Sequence, residues 1–264
     1  MITCLAGALL ATRELDVKLI RLLIYATSGS ISAFVLNDLA DVHEDGSLGR
    51  FRNPLVSGEL SFNTAIKVYL ITASISITSL IGFNVYAYTL ALTTLALSYL
   101  YSIGIRFKEL IPMDLVVHGL TPALLATTAY LAYKPLDIDS ILLSSMVLTS
   151  STISEVLQEI RDLNSISRST VKLLGIKRSK DLILVLTITT SLLYVLLTLG
   201  RYDLNYLVIY TPLTYLILGP VLKFRNNYLS VEEVITKLRF RATVLVSIVI
   251  ATYVALNINQ YAIR

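Results

Sequence analysis

The chain has 264 residues, of which 55% are hydrophobic and 15% charged, and its mean hydropathy is +0.72. A soluble domain normally carries about a quarter charged residues, so this composition excludes a water-soluble globular enzyme. The pI of about 9.0 would suit a nucleic-acid binder, but basic residues also gather in the cytoplasmic loops of membrane proteins. The one cysteine, Cys4, excludes an intramolecular disulfide and a thiolate metal cluster. We therefore predict an integral membrane protein that binds no nucleic acid.

Apolar runs long enough to cross a bilayer follow one another along the chain. A helical span needs about 20 mostly apolar residues. Such runs lie near 18–36, 64–83, 85–104, 112–133, 139–158, 181–200, 205–222 and 240–258. The opening stretch, 1–12, is too short to cross alone, so we expect either a half-span or a chain start inside the first helix. The pattern predicts an all-α bundle of about nine transmembrane helices, with the first one truncated, in a single domain, 1–264.

The basic residues are distributed unequally over the two sides of these spans. Fifteen of the 22 Lys and Arg residues lie in the connections that follow spans two, four, six and eight, and six lie on the opposite side. Cytoplasmic loops carry the excess of basic residues in membrane proteins. We therefore predict that four connections face the cytoplasm, namely 46–60, 105–111, 163–180 and 223–238.

Carboxylates cluster where the second span ends. Asn37, Asp41 and Asp45 are spaced i, i+4, i+8, so on a continuing helix they share one face, and Asp38 lies beside it. Carboxylates at a helix C-terminus are unfavourable, which argues against a merely solvated helix end. Mg²⁺ prefers one or two carboxylates completed by waters and substrate phosphates. The row therefore predicts a magnesium site at the cytoplasmic end of this helix.

A second acidic cluster closes the sixth span. Glu155, Glu159 and Asp162 are spaced i, i+4, i+7 and again share one helix face. Taken alone, this cluster is equally well explained as an amphipathic exit from the membrane. Its place at the matching end of another helix favours a second metal site that acts with the first.

Basic residues lie in two loops beside these clusters. The first loop holds Arg50 and Arg52, and the second holds Arg106 and Lys108. Guanidinium groups pair with phosphate oxygens in a bidentate manner, so these residues are candidates to bind a diphosphate. The general excess of basic residues in cytoplasmic loops explains any single one of them as well. Ser61, at the end of the first loop, is the expected N-cap of the third span.

These motifs resemble those of the UbiA superfamily of intramembrane prenyltransferases, and the resemblance covers nearly the whole chain. The family's first motif has the form N-D-x-x-D-x-x-x-D, which the sequence matches in full from Asn37 to Asp45. The loop that follows has the form R-P-x-x-S-G-x-x-S. It is matched at Pro54, Ser57, Gly58 and Ser61, and the Tyr-Ser pair before a basic residue is matched at Tyr101 and Ser102.

Two of the motifs depart from the family pattern. Asn53 stands where the loop motif usually has arginine. The second motif often has the form R-E-x-x-K-D-x-x-D, but Ser154 replaces its arginine and Gln158 its lysine. The first motif is therefore complete, whereas the second is altered.

The resemblance implies a nine-helix bundle around a central cavity, with both acidic motifs at its cytoplasmic mouth. Mg²⁺ held there would bind the diphosphate of an allylic prenyl donor, and the cavity would house the prenyl tail. The implied metal ligands are Asn37, Asp38, Asp41, Asp45, Glu155, Glu159 and Asp162. The implied diphosphate ligands are Arg52, Arg106 and Lys108, and the implied catalytic residues are Asp41, Tyr101 and Arg106.

The resemblance leaves the lipophilic acceptor open, because family members prenylate aromatic acids for quinones, haem, chlorophyll side chains or the glycerol phosphate of archaeal ether lipids. The absence of Trp and the abundance of Ile, Ser, Thr and Tyr are compatible with an archaeal source. Our leading expectation is geranylgeranylglyceryl phosphate in membrane lipid synthesis, with an aromatic acceptor as the alternative. Two further alternatives are an ion-coupled transporter and a non-catalytic paralogue that binds isoprenoids. Transporters place their ion sites near the midplane of the membrane, whereas these carboxylates cluster at one end.

Overall fold

The computed structural model describes residues 2–12, 15–163, 168–201 and 217–241. Within these ranges the chain forms nine α-helices and no strand, which confirms the all-α prediction. The first seven are α1 (Ile2–Ala11), α2 (Val17–Ser47), α3 (Phe62–Ser79), α4 (Val85–Ser102), α5 (Met113–Leu131), α6 (Ile138–Arg161) and α7 (Thr170–Arg201). Helical residues 217–225 and 231–241 are named α8 and α9. A short 3₁₀ helix, Phe107–Glu109, lies between α4 and α5.

The helix lengths fit a membrane protein. In the described part of the chain, α2, α6 and residues Thr170–Gly200 are each long and apolar enough to cross a membrane by length and composition. Helices α3, α4 and α5 have 18, 18 and 19 residues, within the range of roughly 17–25 for a span. Helix α1 has only 10 residues, as expected for a stretch too short to cross alone. The predicted spans 205–222 and 240–258 lie mostly outside the described residues.

Two segments that we predicted as loops contain helix. The predicted loop 163–180 includes the start of α7, which begins at Thr170 and kinks at Gly175, where φ is 76° and ψ is 158°. The predicted loop 223–238 includes the end of α8 and most of α9. Both segments are rich in Lys and Arg, which lower the hydropathy but are good helix formers. Hydropathy therefore indicated where a helix can enter lipid and missed where the helix begins.

The chain divides into two compact units, Met1–Leu148 and Thr149–Arg264, with the boundary inside α6. In the first unit α2 packs against α3, and α5 packs against both α1 and α4. Small side chains fill much of its core, namely Ala8, Ala26, Ala87, Ala91 and Ala129. Such residues let helices approach closely, which matters in lipid, where burial of apolar surface gives little drive for association. That the chain forms a single domain stays a prediction.

Polar contacts at the start of α2 fix its position in the first unit. Asp16 caps the helix by accepting hydrogen bonds from the Leu19 N–H at 2.9 Å and from the Tyr133 hydroxyl at 2.6 Å. Burial would raise the pKa of Asp16, but the hydrogen bonds from Tyr133 and Leu19, together with the positive charge of Lys18, lower that pKa overall. Arg21 donates from Nε to the Ser79 carbonyl oxygen at 2.8 Å, at the end of α3. The start of α2 is thereby held against the end of α3 and the segment after α5.

Gly7 lies at a close approach of α1 to α5. A Cβ at Gly7 would overlap the backbone carbonyl oxygen of Ala126, which cannot rotate out of the way as a side chain would. Gly46, near the end of α2, has nothing within 4 Å of the same added atom and serves as a matched control.

We expect Gly7→Ala to lower the free energy of unfolding by about 1–3 kcal/mol, because the two helices must separate to accept the methyl group. Gly46→Ala should leave stability unchanged or raise it by up to about 1 kcal/mol, since alanine favours the helix. Thermal unfolding in detergent, followed by circular dichroism, measures both. Equal melting temperatures for the two variants would contradict the packing of α1 on α5.

Candidate active site

The acidic row lies on the last turns of α2. The helix continues to Ser47, so Asn37, Asp41 and Asp45 share one helical face, as their spacing predicts. Because the C-terminal end of a helix carries partial negative charge, carboxylates there are destabilising without nearby cations. The structure supplies these cations from two loops of the same unit.

Lys108, in the 3₁₀ helix after α4, places its ammonium group on this row. Its Nζ lies 3.2 Å from Asn37 Oδ1 and also contacts Asp41 Oδ1. Only 16% of the Lys108 side chain and 17% of the Asp41 side chain are exposed, so water screens the pair weakly. Ser102, the last residue of α4, donates to the same Asn37 oxygen at 3.4 Å. One oxygen of Asn37 and one of Asp41 thus already surround a cation.

Arg106 spans three carboxylates with one guanidinium group. Its Nη2 lies 2.5 Å from Glu109 Oε1, 3.7 Å from Asp41 Oδ1 and 3.9 Å from Glu44 Oε2. Its backbone is left-handed, with φ 55° and ψ 56°, which costs a residue other than glycine about 1–3 kcal/mol. Its Nε is buried and has no hydrogen-bond partner among the described residues. A buried donor without an acceptor is costly, so a further anionic group would fit beside Arg106.

Asn53 fastens the loop between α2 and α3 to the acidic row. It is 4% exposed, and its Nδ2 donates to the Asp38 carbonyl oxygen at 2.9 Å and to Asp45 Oδ2 at 3.0 Å. Its Oδ1 accepts from the Leu55 N–H at 3.0 Å. Arg50 Nη1 lies 3.2 Å from the other oxygen of Asp45. Asn53, which replaces the arginine that the resemblance implies, therefore orients Asp45 and closes the loop.

Four further polar residues lie in the loops and helix ends of the first unit. Arg52 is exposed and makes no ion pair within the described part of the chain. Tyr101 is partly buried in the last turn of α4. Ser61 caps α3, as predicted, by accepting a hydrogen bond from the backbone of its first turn. Asp114, in the first turn of α5, is buried, and its carboxylate accepts from the Leu115 N–H at 2.9 Å.

The second acidic cluster belongs to the second unit, at the end of α6. Glu159 is 4% exposed and accepts a hydrogen bond from the Val171 N–H at 3.0 Å, in the first turn of α7. Asp162 is bound by Arg161 through two hydrogen bonds of 2.8 and 2.6 Å. Glu155 lies one helical turn before Glu159 and is partly buried. The structure thus engages Glu159 and Asp162 with donors of the protein itself.

The first row, rather than a preformed cage, offers the donor set for a metal ion. In the described residues no three His, Cys, Asp or Glu side chains are grouped so that they could hold an ion together. Mg²⁺ rarely uses such a cage, since it keeps several waters and takes one or two carboxylates together with substrate phosphates. The hard oxygens of Asn37 and Asp41, already gathered around the Lys108 ammonium, fit that requirement.

Sequence comparison assigns the chain to a family. A sequence model of the UbiA prenyltransferase family matches residues 1–244. The chain therefore belongs to the UbiA prenyltransferase family of intramembrane proteins, as its motifs predict. A search of the curated proteins finds no match to this chain.

Solved structures of low sequence identity share the fold. A structure of digeranylgeranylglyceryl phosphate synthase is 19% identical, with a TM-score of 0.72 over 96% of this chain and 91% of that one. A UbiA homologue from Aeropyrum pernix K1, in its apo form, is 17% identical, with a TM-score of 0.75 over 97% of this chain and 96% of that one. A UbiA homologue from Archaeoglobus fulgidus, bound to GPP and Mg²⁺, is 18% identical, with a TM-score of 0.67 over 93% and 91%. These likenesses confirm the predicted fold class.

Asn53 gives this site a structural test that is independent of activity. We expect Asn53→Ala to speed hydrogen exchange of backbone N–H groups in residues 50–61 by at least about tenfold, because it removes three hydrogen bonds, one of them to a carboxylate. Asn63→Ala, at an exposed position in the first turn of α3, is the control and should change nothing. Mass spectrometry of exchanged peptides measures both variants. Equal exchange in the two would show that Asn53 does not anchor the loop.

Proposed function

We propose that this protein is a Mg²⁺-dependent prenyltransferase that moves a polyprenyl group from an allylic diphosphate to a lipophilic acceptor in the cell membrane. The observation that carries the proposal is the contact of Lys108 and Arg106 with the acidic row of α2. It joins hard oxygen donors for a divalent ion to cationic groups for phosphate oxygens, the two requirements of a metal–diphosphate site. The Archaeoglobus homologue bound to GPP and Mg²⁺ supports the same donor class and metal.

The residues of the site divide into metal-facing and phosphate-facing groups. The proposed metal ligands are Asn37, Asp38, Asp41 and Asp45, with Glu155, Glu159 and Asp162 for a second ion. When bound, Mg²⁺ supplies positive charge that stabilises the departing diphosphate. Arg52, Arg106 and Lys108 bind diphosphate oxygens, and the buried Nε–H of Arg106 is an available donor for one of them. Tyr101 orients the donor or the acceptor from the end of α4.

The reaction needs charge stabilisation at one end of the donor and exclusion of water at the other. The bond between the prenyl C1 and the diphosphate oxygen breaks, and its electron pair leaves with the diphosphate. The acceptor forms the new bond to C1 and loses a proton. Positioned cations stabilise the charge that develops on the leaving group. The apolar cavity that the family resemblance implies would house the prenyl chain and keep water from C1.

Our leading acceptor is geranylgeranylglyceryl phosphate, whose free hydroxyl would become the second ether of an archaeal membrane lipid. It is supported by the likeness in fold to a digeranylgeranylglyceryl phosphate synthase and by the composition of the chain. Purified protein incubated with labelled prenyl diphosphates and a panel of acceptors, with and without Mg²⁺, tests the assignment. Transfer to an aromatic acid, and not to the glycerol phosphate, would instead indicate a prenyltransferase with an aromatic acceptor.

One structural observation favours a second candidate function. Glu159 and Asp162 are already engaged by the Val171 N–H and by Arg161. A protein whose second motif served only such structural contacts would bind isoprenoid lipids without turning them over. If the purified protein binds a prenyl diphosphate but consumes no donor, the result would favour a non-catalytic paralogue that binds isoprenoids.

Asp41→Asn keeps the shape of the side chain and removes one negative charge. We expect prenyl transfer to fall at least about a hundredfold, the scale of losing one strong transition-state stabiliser. Glu155→Gln should reduce transfer less, because the second motif departs from the family pattern. Activity assays in detergent over a magnesium titration, at matched protein levels, compare the two.

Glu59→Gln is the matched control, since Glu59 is an exposed carboxylate in the loop after α2 and has no assigned role. It should retain the parent rate. Near-normal transfer by Asp41→Asn at low Mg²⁺ would show that the row on α2 is not the metal site.

The acidic row should lie on the cytoplasmic side of the membrane. In a Cys4→Ala background, Ser47→Cys at the end of α2 should react with a membrane-impermeant maleimide only after intact cells are permeabilised. Leu136→Cys, at a position that is 62% exposed between α5 and α6, should react at once and serves as the control. We expect this orientation because the connections on the Ser47 side carry the excess of basic residues. The reverse labelling pattern would contradict this orientation.

A further inference from the structure

The ammonium group of Lys108 lies where the first motif would place its metal ion. It contacts Asp41 Oδ1 and lies 3.2 Å from Asn37 Oδ1, the two residues that are one helical turn apart on the proposed ligand face. Ser102 donates to the same Asn37 oxygen and holds that side chain in place. The Lys108 ammonium group therefore contacts two of the oxygens that a divalent ion would use.

A metal ion and this ammonium group cannot bind the same oxygens together. Two positive charges a few ångströms apart repel strongly. Water screens this repulsion weakly, because the side chains of Lys108 and Asp41 are each more than four-fifths shielded from solvent. The metal must therefore displace Lys108, and Lys108 then needs another anionic partner. In the proposed reaction the diphosphate is that partner.

We propose that Lys108 is an internal place-holder cation: it occupies the first metal position in the donor-free protein and transfers to the diphosphate when donor and metal arrive. The inference rests on the proposed function for the identity of the anion. Its consequence is that Lys108 opposes metal binding in the absence of donor and favours it in the presence of donor. Metal and donor then bind cooperatively, with a coupling that acts equally in both directions.

The neighbouring Arg106 is not suited to the same exchange. Its guanidinium is held by Glu109 at 2.5 Å and lies 3.7 Å from Asp41, so it stays at the side of the row. A lysine carries a compact charge on a flexible four-carbon stem, which lets it leave one anion for another a short distance away. Arg106 therefore stays in place while Lys108 moves.

Titration with Mn²⁺ in the absence of donor, followed by electron paramagnetic resonance of the free ion, tests this exchange. We expect Lys108→Met to bind Mn²⁺ at least about fivefold more tightly than the parent protein, because a repelling charge is gone. Lys108→Arg, which keeps the repelling charge, should show no gain in affinity. Lys67→Met removes the same charge from an exposed position on α3 and should also leave the affinity unchanged.

The outcomes separate this inference from the proposed function. Tighter binding in Lys108→Met, lost again when Asp41→Asn is added, supports the place-holder role, and general damage to the fold would not produce it. Unchanged or weaker binding in Lys108→Met overturns the inference, as does the absence of binding in both proteins. Binding that survives Asp41→Asn in the parent overturns the proposed metal site itself. If Lys108→Met does not fold, Lys108→Gln takes its place with the same expected result.

Discussion

The local structure of this site depends on carboxylates that lie near the C-terminal end of a helix, where the helix dipole is negative. Asn37, Asp41 and Asp45 lie on the final turns of α2. Cations placed beside these carboxylates offset both the dipole and their mutual repulsion. The contact between Lys108 and Asp41 provides such a cation in the protein alone, with little water to screen it. The adjacent loops adopt the conformations that deliver these cations.

Two loops of the first unit show this dependence in different ways. The loop after α4 accepts a left-handed residue, Arg106, so that its guanidinium can reach Asp41, Glu44 and Glu109. The loop after α2 folds back on its own helix through Asn53, which binds a backbone carbonyl oxygen and the carboxylate of Asp45. Backbone strain in one loop and a buried amide in the other are both offset by contacts with the same acidic row.

The sequence predicted the elements whose signal is local and periodic. The spacing of Asn37, Asp41 and Asp45 required only that α2 continue, and it does, to Ser47. The left-handed backbone of Arg106 and the anchoring role of Asn53 could not be predicted, because both depend on contacts with residues distant in the chain. The start of α7 was missed for another reason: its charged turns are helical without being apolar, and hydropathy reports only the second property.

The two acidic clusters differ in what would be lost if a metal took their oxygens. Asp41 is neutralised by Lys108, a side chain that can move to a phosphate while the backbone stays in place. Glu159 instead accepts a hydrogen bond from the Val171 N–H. Moving this carboxylate to a metal ion would leave a buried backbone donor at the start of α7 without that acceptor. Exchange of partners is therefore less costly in the first cluster than in the second. We therefore expect the row on α2 to bind a metal ion more tightly than the cluster at the end of α6.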